Sequence, residues 1–91
     1  MKFALELSAA VSALDPRLTA IFCPAEDESV DSEIQIHRDG KETGVTIQIG
    51  AGYVGINRWV EAEASYGLFF GETLQEARDV LLLLIRDGKL F

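Results

Sequence analysis

Polar and apolar residues alternate most sharply in the middle of the chain. Glu33-Ile34-Gln35-Ile36-His37 and Val45-Thr46-Ile47-Gln48-Ile49 both repeat with period two, the spacing of a strand with one buried face. Ile34, Ile36, Val45, Ile47 and Ile49 fall on one side, and Gln35, His37, Thr46 and Gln48 on the other. Between the runs lies Arg38 to Gly44, with Asp39-Gly40 at its centre, a pair that accepts the positive φ angles of a tight hairpin. Gly50-Ala51-Gly52 predicts the next turn. Tyr53 to Glu61 continues the alternation, with Val54, Ile56 and Val60 inward and Tyr53, Asn57 and Trp59 outward. After a polar turn over Glu61 to Ser65, Ser65 to Phe70 reads as a fourth strand, with either Leu68 and Phe70 or Phe69 turned inward.

The two ends have helical spacing. Phe3, Leu7, Val11 and Leu14 recur at intervals of four, four and three, which places them on one face of a helix over Lys2 to Leu14. A strand over Met1 to Leu7, followed by a shorter helix capped by Ser8, competes with that reading, and the long helix is preferred. Asp15-Pro16 breaks or restarts the helix. Leu18 to Cys23 is either a helical turn or a short strand, ended by Pro24. Ala25 to Glu33 predicts a solvated loop, because five of the eight residues from Glu26 to Glu33 are acidic and none is basic. At the other end, Thr73-Leu74-Gln75-Glu76 is a capping box: the Thr73 hydroxyl accepts from the Glu76 N–H, and the Glu76 carboxylate reaches back to the Thr73 N–H. Leu74, Ala77, Leu81, Leu84 and Ile85 share a face of that helix. Gly88 suits the left-handed residue that ends it, with Leu90 and Phe91 folding back. The predicted fold is a single α+β domain over residues 1–91. It has an antiparallel sheet of three or four strands, with the N-terminal and C-terminal helices packed on one face.

Composition narrows the function classes. The chain has 91 residues, 48% of them hydrophobic, and its 15 acidic and eight basic residues give a net charge of −7. That sign repels phosphate backbones and anionic lipid, so neither nucleic acid nor membrane is an expected partner. The order of helix, strands and helix is similar to that of the double-stranded-RNA-binding domain, but that family opens its last helix with basic residues. Here the corresponding stretch, Gly71 to Glu76, is acidic, and the assignment is not made. One cysteine, Cys23, offers no internal disulfide, and the expected location is the cytoplasm.

No chemistry assembles from the motifs. Gly50-x-Gly52-x-x-Gly55 follows a strand and carries the spacing of a dinucleotide loop, with Glu72 about 20 residues on. The segment after Gly55 alternates like a strand instead of opening a helix, however, so these glycines read as turn and bulge positions. His37 is expected to be solvated on the outer sheet face, and Cys23 to be a small buried apolar residue. Neither has an orienting third group. Glu61, Glu63 and Glu72 read as turn and solubility residues. The acidic loop lacks the alternating pattern of a calcium site. No catalytic residue, cofactor or metal is expected.

Apolar residues in unexpected places remain. Val80 to Ile85 is continuously apolar, and at about 100° per residue Leu83 points away from the Leu81 and Leu84 face. Tyr53 and Trp59, joined by Phe69 if Leu68 and Phe70 are the inward pair, sit among polar residues on the outer sheet face. Tyr53, Trp59 and Leu83 are therefore the candidate interface residues. The function they imply is a small acidic, non-catalytic protein-interaction module, self-associating as a homodimer or binding a protein partner. The alternative is an acidic inhibitor or nucleic-acid mimic that occupies a basic site on another protein.

Overall fold

The computed structural model describes residues 1–27, 31–61 and 64–91. Along the chain these form α1 (Lys2–Leu14), β1 (Leu18–Cys23), β2 (Ser32–Arg38), β3 (Lys41–Gly50), β4 (Tyr53–Glu61), β5 (Ala64–Gly71) and α2 (Leu74–Arg86). The α+β class is as expected, but the sheet has five strands, not three or four, in the order β1-β2-β3-β4-β5 with every pair antiparallel. Leu18 to Cys23 supplies the additional strand. Its alternation is blurred because Ile21 points outward and is exposed, while Phe22 turns inward.

Each turn has a local cause. Asp15 leaves the helical region (φ −146°), and Asp15 to Leu18 forms a turn in which the Leu18 N–H donates to the Asp15 carbonyl at 2.9 Å. Pro16 occupies the second position, which its fixed φ favours. The Arg17 N–H and guanidinium both bind the Asp15 carboxylate, at 2.8–3.0 Å. Asp15-Pro16 therefore starts a strand and does not restart a helix. Asp39 and Gly40 both have positive φ (54° and 78°), as the hairpin signal required. The predicted loop over Ala25 to Glu33 is shorter than expected, since β2 begins at Ser32. Its central part lies outside the described residues, as do Ala62 and Glu63 of the predicted Glu61 to Ser65 turn.

The register aligns one apolar residue from every strand: Phe22, Ile34, Ile47, Ile56 and Phe69 lie side by side across the sheet. Both helices cover this row. Ala4, Leu7 and Val11 of α1 and Ala77 and Leu81 of α2 are buried against it. Leu14, expected on the buried face of α1, is exposed, and Ala4 takes part in the core instead. Val60, expected inward, is 53% exposed and lies at a register shift of β4, between Trp59 and Glu61, without a partner on β5.

α2 starts and stops as its sequence dictates, with one difference. The Glu76 N–H donates to the Thr73 hydroxyl at 3.2 Å, but the Glu76 carboxylate accepts the Thr73 hydroxyl proton (2.9 Å) and not the Thr73 N–H. At the other end, the Gly88 N–H reaches the Ile85 carbonyl and the Lys89 N–H reaches the Leu84 carbonyl. With Gly88 at φ 68°, this is a Schellman stop. Leu90 then folds back and is fully buried, and Phe91 lies under the Arg38 guanidinium, 4.7 Å from the ring centre.

Candidate functional site

The outer face of the sheet is a layer of polar side chains tied to one another. The Gln35 amide donates to the Glu33 carboxylate at 2.8 Å. That contact turns the Gln35 carbonyl oxygen toward His37, whose Nε2–H donates to it at 3.0 Å. On the neighbouring strands, the Asn57 amide donates to the Gln48 carbonyl oxygen at 2.6 Å. His37 is therefore half-buried and engaged in this layer, not freely solvated.

Trp59 belongs to the same layer. Its indole N–H donates to the Thr46 hydroxyl at 3.3 Å, and Thr46 is buried. β3 carries two extra residues here: Ile36 alone of β2 stands opposite Thr43, Gly44 and Val45. Gly44 has φ 85° and lies so close to Trp59 that a Cβ would collide with the Trp59 carbonyl oxygen. Trp59, Gly44, Glu33, Gln35 and Glu42 line a shallow recess of about 220 Å³. Half-buried Trp59 thus has an internal role in fixing the β3–β4 pairing.

Tyr53 is also half-buried. Its ring fills the space that a Gly50 side chain would occupy, stacks on Phe70 at 5.6 Å and 14°, and its hydroxyl donates to the Asp31 carboxylate. That hydrogen bond, followed by burial and the Asp31 charge, raises the phenol pKa. Leu83 lies on the opposite side of the molecule. It is 46% exposed on α2, in an apolar groove with Ala10, Ala13, Leu14 and Leu82 that Asp79 and Arg86 border. The three candidate interface residues do not form one patch.

Further exposed apolar residues, not singled out from the sequence as interface candidates, lie on both faces of the β4–β5 hairpin. Phe69 of β5 turns inward and packs against the core, paired with Ile56, while Leu68 sits at a bulge where the register shifts. Tyr66, Leu68 and Phe70 are 64%, 37% and 76% exposed. The one available signal was the stretch from Ala64 to Gly71, which contains no Asp, Glu, Lys or Arg. Its exposure depends on β5 being an edge strand, and topology alone reveals that.

Catalytic geometry does not come together at the residues that suggested it. Cys23 pairs with Glu33, and His37 with Thr19; four residues along a strand separate the two sites by ~13 Å. Cys23 is partly exposed, not buried. Burial and the charges of Glu33 and Glu42 raise its thiol pKa, which lowers the nucleophilic thiolate fraction. Gly50, Gly52 and Gly55 lie in the β3–β4 hairpin, with Gly52 at φ 80° in the turn. Glu61 and Glu72 stand at opposite ends of the β4–β5 pair, and Glu63 lies outside the described residues. No group of three His, Cys, Asp or Glu side chains is placed to hold a metal among the described residues. Among those residues, too, no helix is long and apolar enough to cross a membrane. A comparison with protein-family models finds no match, and comparisons with curated proteins and with solved structures find none either.

Proposed function

We propose that the chain is a non-catalytic protein-interaction module that self-associates, acting in the cytoplasm. The observation that supports this most directly is the grouping of its exposed apolar side chains. Leu14 and Leu83 border one groove of the helical layer. Tyr66 on the helix side and Phe70 on the outer side, with Leu68 and Val60 at register shifts, flank the edge of one hairpin. Scattered exposed leucines are ordinary on a monomer, but apolar side chains gathered at one groove and one sheet edge are typical of interaction sites. Association would also supplement the limited core that a chain of this length can build.

Light scattering after size exclusion tests the reading across protein concentration, at low and high salt. The expected mass exceeds the 10.0 kDa of one chain and persists in high salt, since apolar contacts are not screened. A mass of one chain at every concentration refutes self-association.

A further inference from the structure

The two edges of the sheet are treated differently. At β1, two serines one helical turn apart on α1 occupy the outward backbone groups: the Ala20 N–H donates to Ser8 Oγ at 3.0 Å, and Ser12 Oγ donates to the Leu18 carbonyl at 2.6 Å. At β5, no hydrogen bond from a helix or loop reaches the outer backbone edge among the described residues. Natural sheets usually protect an open edge with charge, proline or a covering element. β5 does carry a bulge, but its sequence, Ala64-Ser65-Tyr66-Gly67-Leu68-Phe69-Phe70-Gly71, has no charge of the acid–base kind active at neutral pH and no proline.

We propose that two copies of this chain join by antiparallel pairing of their β5 edges. The pairing continues the five-stranded sheet of one copy into that of the other, with both helical layers on the same face. The inference rests on the self-association reading and specifies its surface. Three features select a second copy as the occupant. An antiparallel strand paired with its own copy obeys a two-fold axis, so the contact is self-complementary and closes as a dimer. β5 is uncharged in a chain of net charge −7, so here two copies approach without like charges on the paired strands. The bulge also makes one register match faces. Tyr66 shares the helix side with Phe69, and Ser65 the outer side with Phe70, as their pairing with β4 shows. Setting Tyr66 opposite the second copy's Phe69 places Ser65 opposite its Phe70, so both faces gain an aromatic contact.

The aromatics supply part of the area that a stable dimer needs. With ~150–250 Å² per aromatic side chain, exposures of 64% and 76% leave ~200–350 Å² on Tyr66 and Phe70. A stable dimer buries about 800 Å² per partner. The backbone edge of β5 with Leu68 and Val60 supplies further surface beside it.

The test compares the full chain with Phe70→Lys, Tyr66→Lys and Leu83→Lys, each checked for folding by circular dichroism. All three positions are exposed, so the variants are expected to fold. Truncating one hot-spot aromatic weakens binding ~30-fold, and a two-fold axis presents each residue twice. Phe70→Lys is therefore expected to raise the dimer Kd about a thousandfold, with Tyr66→Lys similar and Leu83→Lys within a few fold of the parent. In the dimer, β5 amides that exchange freely in the Phe70→Lys monomer become protected. If Leu83→Lys dissolves the dimer and the β5 variants do not, edge pairing is overturned while self-association stands. If all three dissolve it, unprotected β5 amides in the parent dimer overturn the inference and protected ones uphold it. A parent chain of one-chain mass at every concentration overturns both readings, including the case where β5 instead takes up an extended peptide from another protein.

Discussion

Replacing both Ser8 and Ser12 with alanine tests whether α1 protects the β1 edge. Ser12 Oγ donates to the Leu18 carbonyl and Ser8 Oγ accepts from the Ala20 N–H, both in partly buried surroundings. Leu18 is fully buried and Ala20 nearly so, so each substitution leaves a backbone group with restricted access to water. The penalty for such a group is ~1–3 kcal/mol, and partial burial favours the lower half of that range. Alanine returns up to ~0.7 kcal/mol per site through its higher helix propensity. The net loss is then ~0.5–1.5 kcal/mol for each serine and ~1–3 kcal/mol for the pair if the two sites add. A domain of this size loses ~4–8 °C of melting temperature per kcal/mol, so the double variant should melt ~5–20 °C below the parent.

The assay is thermal and urea unfolding of the parent, the two single variants and the double variant. The m-value should stay constant, because the surface exposed on unfolding is unchanged. Amide exchange at Ala20 should accelerate in Ser8→Ala more than in Ser12→Ala, since only Ser8 accepts from that N–H. A double variant as stable as the parent, or an Ala20 amide equally protected in both single variants, would refute the edge-protection argument.

Two further outcomes follow from the geometry. Gly44→Ala meets both a φ of 85° and the Trp59 carbonyl oxygen, so it should cost ~2–4 kcal/mol in urea unfolding. Gly52→Ala, at φ 80° with no atom within 4 Å, should cost only ~1 kcal/mol. For Cys23, burial first and then Glu33 and Glu42 raise the thiol pKa. Its alkylation by iodoacetamide at pH 8 should therefore be slower than that of a free cysteine, and the rate–pH curve should move to lower pH in Glu33→Gln. An unmoved curve in that variant would show that the Glu33 charge has no effect on the thiol.

What could be read from the sequence were the features set by local chemistry. The Asp39-Gly40 hairpin, the inward row of Ile34, Ile47 and Ile56, and the Thr73 cap with its Gly88 stop each depend on a few adjacent residues. The misses depend on partners distant in sequence. β1 was ambiguous because only two of its six residues, Leu18 and Ala20, are buried, and α1 contributes to that burial. Val60 has the parity of a core residue, but a register shift between Trp59 and Glu61, set by the pairing with β5, leaves it exposed. Tyr53 and Trp59 were recognised as aromatics on a polar face. Their internal roles arise from Gly50 and Gly44, whose missing side chains make room for a ring and for a close strand approach. Leu83 alone of the three is as exposed as its helical angle implied.

The unequal edges follow from connection lengths. In a meander, the first and last strands must be the edges. Only Asp15 to Arg17 separates α1 from β1, so α1 is held beside that edge, and serines at positions 8 and 12 fall one above the other on the side facing it. α2 also follows its strand after a short connection, Glu72 to Thr73. Its buried residues, however, are Ala77 and Leu81, and it packs on β4, β5 and α1. α2 is the helix that packs on β4 and β5, so it lies over the sheet and not along its rim. A chain with two helices and five strands can close the core and one edge. The remaining edge is β5, and its lack of charge is why we propose that it pairs with a second copy.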